Sequence, residues 1–191
     1  MRLITNILAA VGLLAMAAVG FIYHQGWVAV QRFDPKATQV MGEFVREVLD
    51  SDVASATVLK MPLADGVSIE QAIEAMTSRA NALDIRLVSR LPFSEEMRRV
   101  TGQPYPYLEI FMFRDPLTAA RLLDFNPDFM AYLPCRIALY EDPDGQAWLS
   151  TMDLDLLIYV GREMDPALKV KVLAIKEGLM EIMVAGANGT G

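Results

Sequence analysis

The sequence predicts an α+β fold: a small, mostly antiparallel sheet packed by helices and preceded by one transmembrane helix. Three observations predict it. Leu3 to Tyr23 is an apolar run broken only by Thr5 and Asn6. Beyond it, segments with apolar residues three or four apart alternate with short β-branched or aromatic runs. The last two of those runs flank Asp142-Pro143-Asp144-Gly145, a tight-turn signal that pairs them as a hairpin. A chain of 191 residues accommodates one compact domain and an appendage.

The N-terminal run comes first. Its 21 residues, at about 1.5 Å each, form a helix of about 31 Å, the depth of bilayer hydrocarbon. Trp27 follows where an aromatic side chain sits among headgroups. A cleaved signal peptide is the competing reading, because Ala15-Met16-Ala17 is an acceptable small-x-small site. The run stays apolar through Val19, Phe21, Ile22 and Tyr23, where a signal peptide turns polar, which favours an uncleaved single-pass anchor. A two-residue basic head favours a cytoplasmic N-terminus and, in a bacterium, a periplasmic domain on the inner membrane. The only bases before residue 33 are Arg2 and Arg32, whereas all 24 acidic residues come later. The soluble part therefore carries a net charge of −9. Anionic lipid repels such a domain, so a protein is its expected docking partner.

Residues 34–185 read as the soluble domain, after an anchor and link over 1–33. Asp34-Pro35, Asp115-Pro116 and Asp165-Pro166 each signal a helix start, since Asp accepts from free amides and Pro suits the first turn. Ser68 with Gln71 predicts a capping box. Val40, Phe44 and Val48 define one helix face. Ile69, Ala72, Ile73 and Met76 define a second, and Leu168, Val172, Ile175, Leu179 and Ile182 a third. Strands are expected at 54–61, 85–91, 107–114, 136–141 and 147–152. In the second, Ile85, Leu87, Ser89 and Leu91 alternate with Arg86, Val88 and Arg90, as on a sheet with one wetter side. Residues 186–191 lack large side chains and read as a flexible tail.

Composition excludes several chemistries. The overall charge of −7 argues against nucleic acid. A single cysteine excludes an intrachain disulfide and a multi-cysteine zinc site. His24 is the only histidine, so the soluble domain has no Ser-His-Asp, Cys-His or HExxH set of its own. No catalytic residue, metal or cofactor is predicted. His24 lies one helical turn after Gly20, a small-xxx-His spacing that leaves room for haem or bacteriochlorophyll. An interfacial polar residue of an anchor is the plainer reading.

The remaining candidates are polar groups for ligand or thiol chemistry. Cys135 precedes Arg136, whose charge favours thiolate; the alternative is a small buried hydrophobe at a strand start. Arg86, Arg90, Arg98 and Arg99 cluster in sequence as anion ligands or as a solvated face. Glu109 interrupts an apolar strand; inward, it needs a partner and has a raised pKa, and outward it is an ordinary surface residue. The methionines suit core filling rather than copper.

One stretch carries more than periodicity. Pro116, Ala119-Ala120, Asn126-Pro127, then Leu133-Pro134-Cys135-Arg136-Ile137-Ala138-Leu139-Tyr140-Glu141-Asp142, Gly145 and Ser150-Thr151-Met152 resemble the uncharacterised domain-of-unknown-function family 302. The similarity runs over about residues 54–160. It implies a compact α+β fold and a homodimer, and no established reaction. Arg114-Asp115-Pro116 stands where family members often carry Cys-Asn-Pro, so no two-cysteine chemistry transfers. The expected function is a membrane-anchored accessory or scaffold subunit without catalysis, within an energy-converting membrane complex. The alternatives are a thiol, redox or small-ligand binding protein using Cys135, an enzyme built around Glu109 and Arg90, and a pigment or haem anchor at His24.

Overall fold

A computed structural model describes residues 2–30 and 34–190. They fall into two compact units, residues 1–43 with 155–163, and 44–154 with 164–191.

The first unit contains helix α1 (Arg2–Val30), the start of α2 (Ala37–Asp50) and α7 (Asp155–Tyr159). Leu13, Leu14, Val19, Phe21 and Ile22 of α1 are 64–71% exposed. Among the described residues no helix is long and apolar enough to cross a membrane. The predicted span Leu3–Tyr23 lies partly outside them, since the side chains of residues 3–5 and 7–9 are not described, and neither is that of Trp27. At Asp34-Pro35, Asp34 Oδ1 accepts from Lys36 N at 2.9 Å, and the helix proper begins at Ala37. Lys36 Nζ lies 5.3 Å from the centroid of the Tyr159 ring, a cation–π contact.

The second unit is the α+β domain. Its helices are α3 (Val53–Ala56), α4 (Ile69–Ala82), α5 (Phe93–Thr101), α6 (Pro116–Phe125) and α8 (Pro166–Asn188), with a 3-10 helix over Pro127–Tyr132. Its strands are β1 (Val58–Pro62), β2 (Arg86–Leu91), β3 (Leu108–Arg114), β4 (Cys135–Glu141) and β5 (Ala147–Met152). They form one fully antiparallel sheet in the order β1-β5-β4-β3-β2. The predicted cap signals operate as their chemistry requires. Ser68 Oγ accepts from Gln71 N while Gln71 Oε1 accepts from Ser68 N. Asp115 receives Leu117 N at 2.9 Å, and Asp165 receives both Ala167 N and Leu168 N at 3.0 Å. The β4–β5 hairpin turns on Asp142, whose Oδ1 accepts from Asp144 N and Gln146 N, with Gly145 at φ +81°.

Helices α4 and α8 pack together over one face of the sheet. Met76, Leu179, Ile182 and Met183 from the helices meet Phe111, Phe113, Ile137, Leu139 and Leu149 from the strands, all buried. A Cβ on Gly186 would come within 2.5 Å of Met76 Cγ and 3.0 Å of Leu149 Cδ1, so only glycine lets α8 approach this closely. The strands alternate cleanly. Residues 111 and 113, 137 and 139, and 149 and 151 face the helices, and the residues between them form a half-buried second face.

Three details depart from the sequence expectation. The strand placed at 54–61 opens as the short helix α3, because Asp52 Oδ1 caps it through Ser55 N at 2.8 Å. α8 continues through Asn188, so Gly186 and Ala187 are buried core rather than tail; small side chains signal close packing there, not looseness. Finally, β2 does not alternate simply. The register shifts between Leu87 and Ser89, so Leu87 pairs with Phe113, Ser89 with Met112 and Arg90 with Phe111. This bulge turns Arg90 to the face opposite Arg86.

Candidate functional site

The ladder between β3 and β4 carries a polar group at each end. Glu109 pairs with Leu139 at one end, and Phe113 pairs with Cys135 at the other. At about 3.4 Å per residue, the four steps from 109 to 113 separate these ends by about 14 Å.

Glu109 is 6% exposed, on the helix-packed face with Phe111 and Phe113. It is inward, and it is fully engaged. Arg90 donates Nε to Oε1 at 2.7 Å and Nη2 to Oε2 at 2.8 Å, a bidentate pair, and Tyr107 Oη donates to Oε2 at 2.6 Å. The Arg90 guanidinium also lies 5.0 Å from the Phe111 ring centroid. Burial pushes the Glu109 carboxyl up, but the hydrogen bonds from Arg90 and Tyr107 outweigh it and hold it below its ordinary value. The raised pKa that an inward Glu109 suggested is therefore corrected. Burial, then the bond to Glu109, pushes Tyr107 well above the usual phenol range. The cluster is a bidentate ion pair with a third hydrogen bond from Tyr107, and Arg90 remains half exposed. Tyr107, two residues before Glu109 on the same strand face, was missed in the sequence although its period-2 spacing was visible.

The Cys135 end is different. Cys135 follows the cis Leu133-Pro134 bond and opens β4. It lines a cavity of about 310 Å³ at the end of the sheet where β1 and β4 begin and β5 ends. The walls include Val58, Ile110, Tyr132, Ala138, Met152 and Leu154, and Arg136 is the one charged residue in the lining. Thr151 Oγ1 is already committed, donating to the Arg136 carbonyl at 2.7 Å. Arg136 does not produce a thiolate. Burial pushes the Cys135 thiol up, and the neighbouring charge only partly offsets it, so the sulfur stays protonated at neutral pH.

The other candidates separate. Arg86 pairs across strands with Arg114, away from Arg90, and Arg98 and Arg99 occupy the last turn of α5. His24 is exposed on α1, and a Cβ on Gly20 would meet nothing within 4 Å. Among the described residues no three His, Cys, Asp or Glu side chains gather as metal ligands.

Comparison with known proteins agrees with this architecture. No curated protein matches the chain. The crystal structure of an uncharacterized conserved DUF302 protein from Bacillus stearothermophilus is similar, with a TM-score of 0.56 and 20% identity over 68% of this chain and 97% of that one. At that identity the likeness concerns the fold. The family model described as domain of unknown function DUF302 matches residues 60–185. The match runs into α8 as far as residue 185, beyond the stretch that the Leu-Pro-Cys-Arg block suggested. Sheet, covering helices and Cys135 cavity all lie within the second compact unit, and the chain belongs to the DUF302 family.

Proposed function

We propose that this protein is a membrane-tethered binding module whose DUF302 domain holds a small, largely apolar molecule in the cavity at Cys135. The observation that carries the reading is the cavity itself. Its size falls at the lower end of small-molecule sites, about 300–1,000 Å³. Its lining joins apolar walls to one thiol and one guanidinium. The rival carboxylate at Glu109 is saturated by Arg90 and Tyr107, which argues against acid–base catalysis there. A protonated thiol suits a wall residue better than a nucleophile. Labelling the folded full-length chain with a small uncharged thiol reagent tests the reading. Modification of Cys135 under native conditions is expected; a thiol that reacts only after denaturation removes the cavity as an accessible site.

A second reading concerns the tether, and the exposed apolar side chains of α1 favour it. In it the chain is an inner-membrane accessory or scaffold subunit. Its N-terminus is cytoplasmic, its acidic domain periplasmic, and its partner an integral protein of an energy-converting complex or a second copy of itself. Extraction of membranes in mild detergent is expected to bring down the intact chain with an integral partner. Mature protein that begins near Ala18 and remains in the soluble fraction overturns it.

A further inference from the structure

We infer that Arg86, Arg114 and Arg136 form an anion-recognition patch beside the Cys135 cavity, and that the ligand is a phosphate monoester bearing a short apolar chain. The inference rests on the cavity reading above and names its ligand class.

The register assembles the patch. Arg86 and Arg114 are direct cross-strand partners on β2 and β3. Met112 pairs with Arg136 on β4, so Arg114 and Arg136 sit on adjacent strands two positions apart. Alternation places Arg114 and Arg136 on the second face of the sheet, opposite Phe113 and Ile137, and pairing brings Arg86 to the same face. All three are exposed, and among the described residues none has an ion-pair partner. In a soluble part with a net charge of −9, three neighbouring arginines without a carboxylate are an exception to the composition.

Two like charges directly opposite on neighbouring strands destabilise a sheet. Among the described residues no carboxylate forms an ion pair with either arginine. The nearest acid in sequence, Asp115, is spent on capping α6 through Leu117 N and Thr118 Oγ1. Asp84 and Asp115, which flank the pair in sequence, line a cleft with Lys171, Glu177 and Glu181. A local rule broken without compensation marks a place where a ligand supplies what is missing. Guanidinium forks match the oxygens of phosphate, and several of them suit a dianion better than a monocarboxylate.

The patch and the cavity are continuous at Arg136, which lines the cavity. Ile110, Ala138, Ser150 and Met152, also in the lining, belong by alternation to the same sheet face. The apolar chain of the ligand thus occupies the cavity while its phosphate meets the three guanidiniums.

Cys135, the only cysteine, lines the cavity from the helix-packed side of β4, opposite Arg136, so its rate of modification reports a ligand that fills the cavity through to that side. The test uses the full-length chain in zwitterionic nanodiscs with hexyl phosphate, hexanol and inorganic phosphate as probes. Hexyl phosphate is expected to slow modification at concentrations about tenfold lower than hexanol, the scale of one or two charge-assisted bonds. Inorganic phosphate is expected to compete with hexyl phosphate yet leave the thiol reactive when added alone. R86Q and R114Q are each expected to remove most of the preference for hexyl phosphate. Both variants relieve charge repulsion and are expected to fold. Equal protection by hexanol and hexyl phosphate, or a preference unchanged in R114Q, overturns the arginine patch and leaves the cavity reading standing. A reactive thiol that no probe protects overturns the patch proposal; a thiol unreactive under native conditions removes the cavity reading as well.

Discussion

The two ends of the β3–β4 ladder handle charge in opposite ways. At Glu109, one buried carboxylate accepts three short hydrogen bonds, and each oxygen is occupied. At Cys135, a protonated thiol and three arginines with no ion-pair partner among the described residues line or adjoin a cavity. The comparison teaches how to read a polar group in an apolar strand. Glu109 is the more unusual residue in the sequence, yet its interactions are spent on the fold. The arginines look ordinary one by one, and only the strand register brings Arg86, Arg114 and Arg136 to one face of the sheet.

The largest effect is expected at the closed end. E109Q removes the carboxylate while Arg90 remains half exposed, so the cost is well below that of a fully buried pair. A loss of about 2 kcal/mol is expected in denaturant unfolding near neutral pH. The same group makes stability depend on pH. Its folded pKa lies below the unfolded value near 4.5, so the unfolded state binds more protons as pH falls. The contribution of Glu109 is thus complete above that value and fades as pH drops through the lowered one. Unfolding measured between about pH 6 and 3 is expected to show this loss in the parent chain and a flatter profile in E109Q.

Y107F sharpens the comparison from within the same cluster. It deletes one charge-assisted hydrogen bond and keeps the ring, and a loss of about 1–1.5 kcal/mol is expected. A loss equal to that of E109Q would mean that the tyrosine, not the arginine, holds the carboxylate in place.

At the open end the expected effects are smaller in stability and larger in reactivity. The pH profile of Cys135 modification is expected to have its midpoint above the ordinary thiol value of 9.0, because burial opposes thiolate more strongly than Arg136 favours it. A midpoint below that value would restore the activated thiolate that the Cys-Arg sequence suggested. The smallest effect belongs to R114Q, expected to be neutral or to stabilise by a few tenths of a kcal/mol as the Arg86–Arg114 repulsion is removed. A marked destabilisation in R114Q would show that the patch is already neutralised within the fold.

Much of the architecture follows from local chemistry. Asp before Pro, Ser68 with Gln71, and Asp142 with Gly145 act within a few residues of themselves, and each forms the cap or turn its side chains require. The alternation in β3, β4 and β5 likewise names the residues that become core, because a pleated strand sends neighbours to opposite faces.

Register, bulges and close packing were not legible, because they depend on partners distant in the chain. Arg86 and Arg90 share one side of an ideal strand, and only the bulge after Leu87 sends Arg90 to Glu109 and leaves Arg86 beside Arg114. The small residues at 186 and 187 look like a tail until Met76 and Leu149 are seen against Gly186. The sequence by itself determined which segments become helices and strands and that the soluble part is acidic, since those properties reside in each residue and its near neighbours. Tertiary structure alone decided that Glu109 is closed and that the Cys135 end is open, because a charge is satisfied or left free by groups that meet only when the strands align.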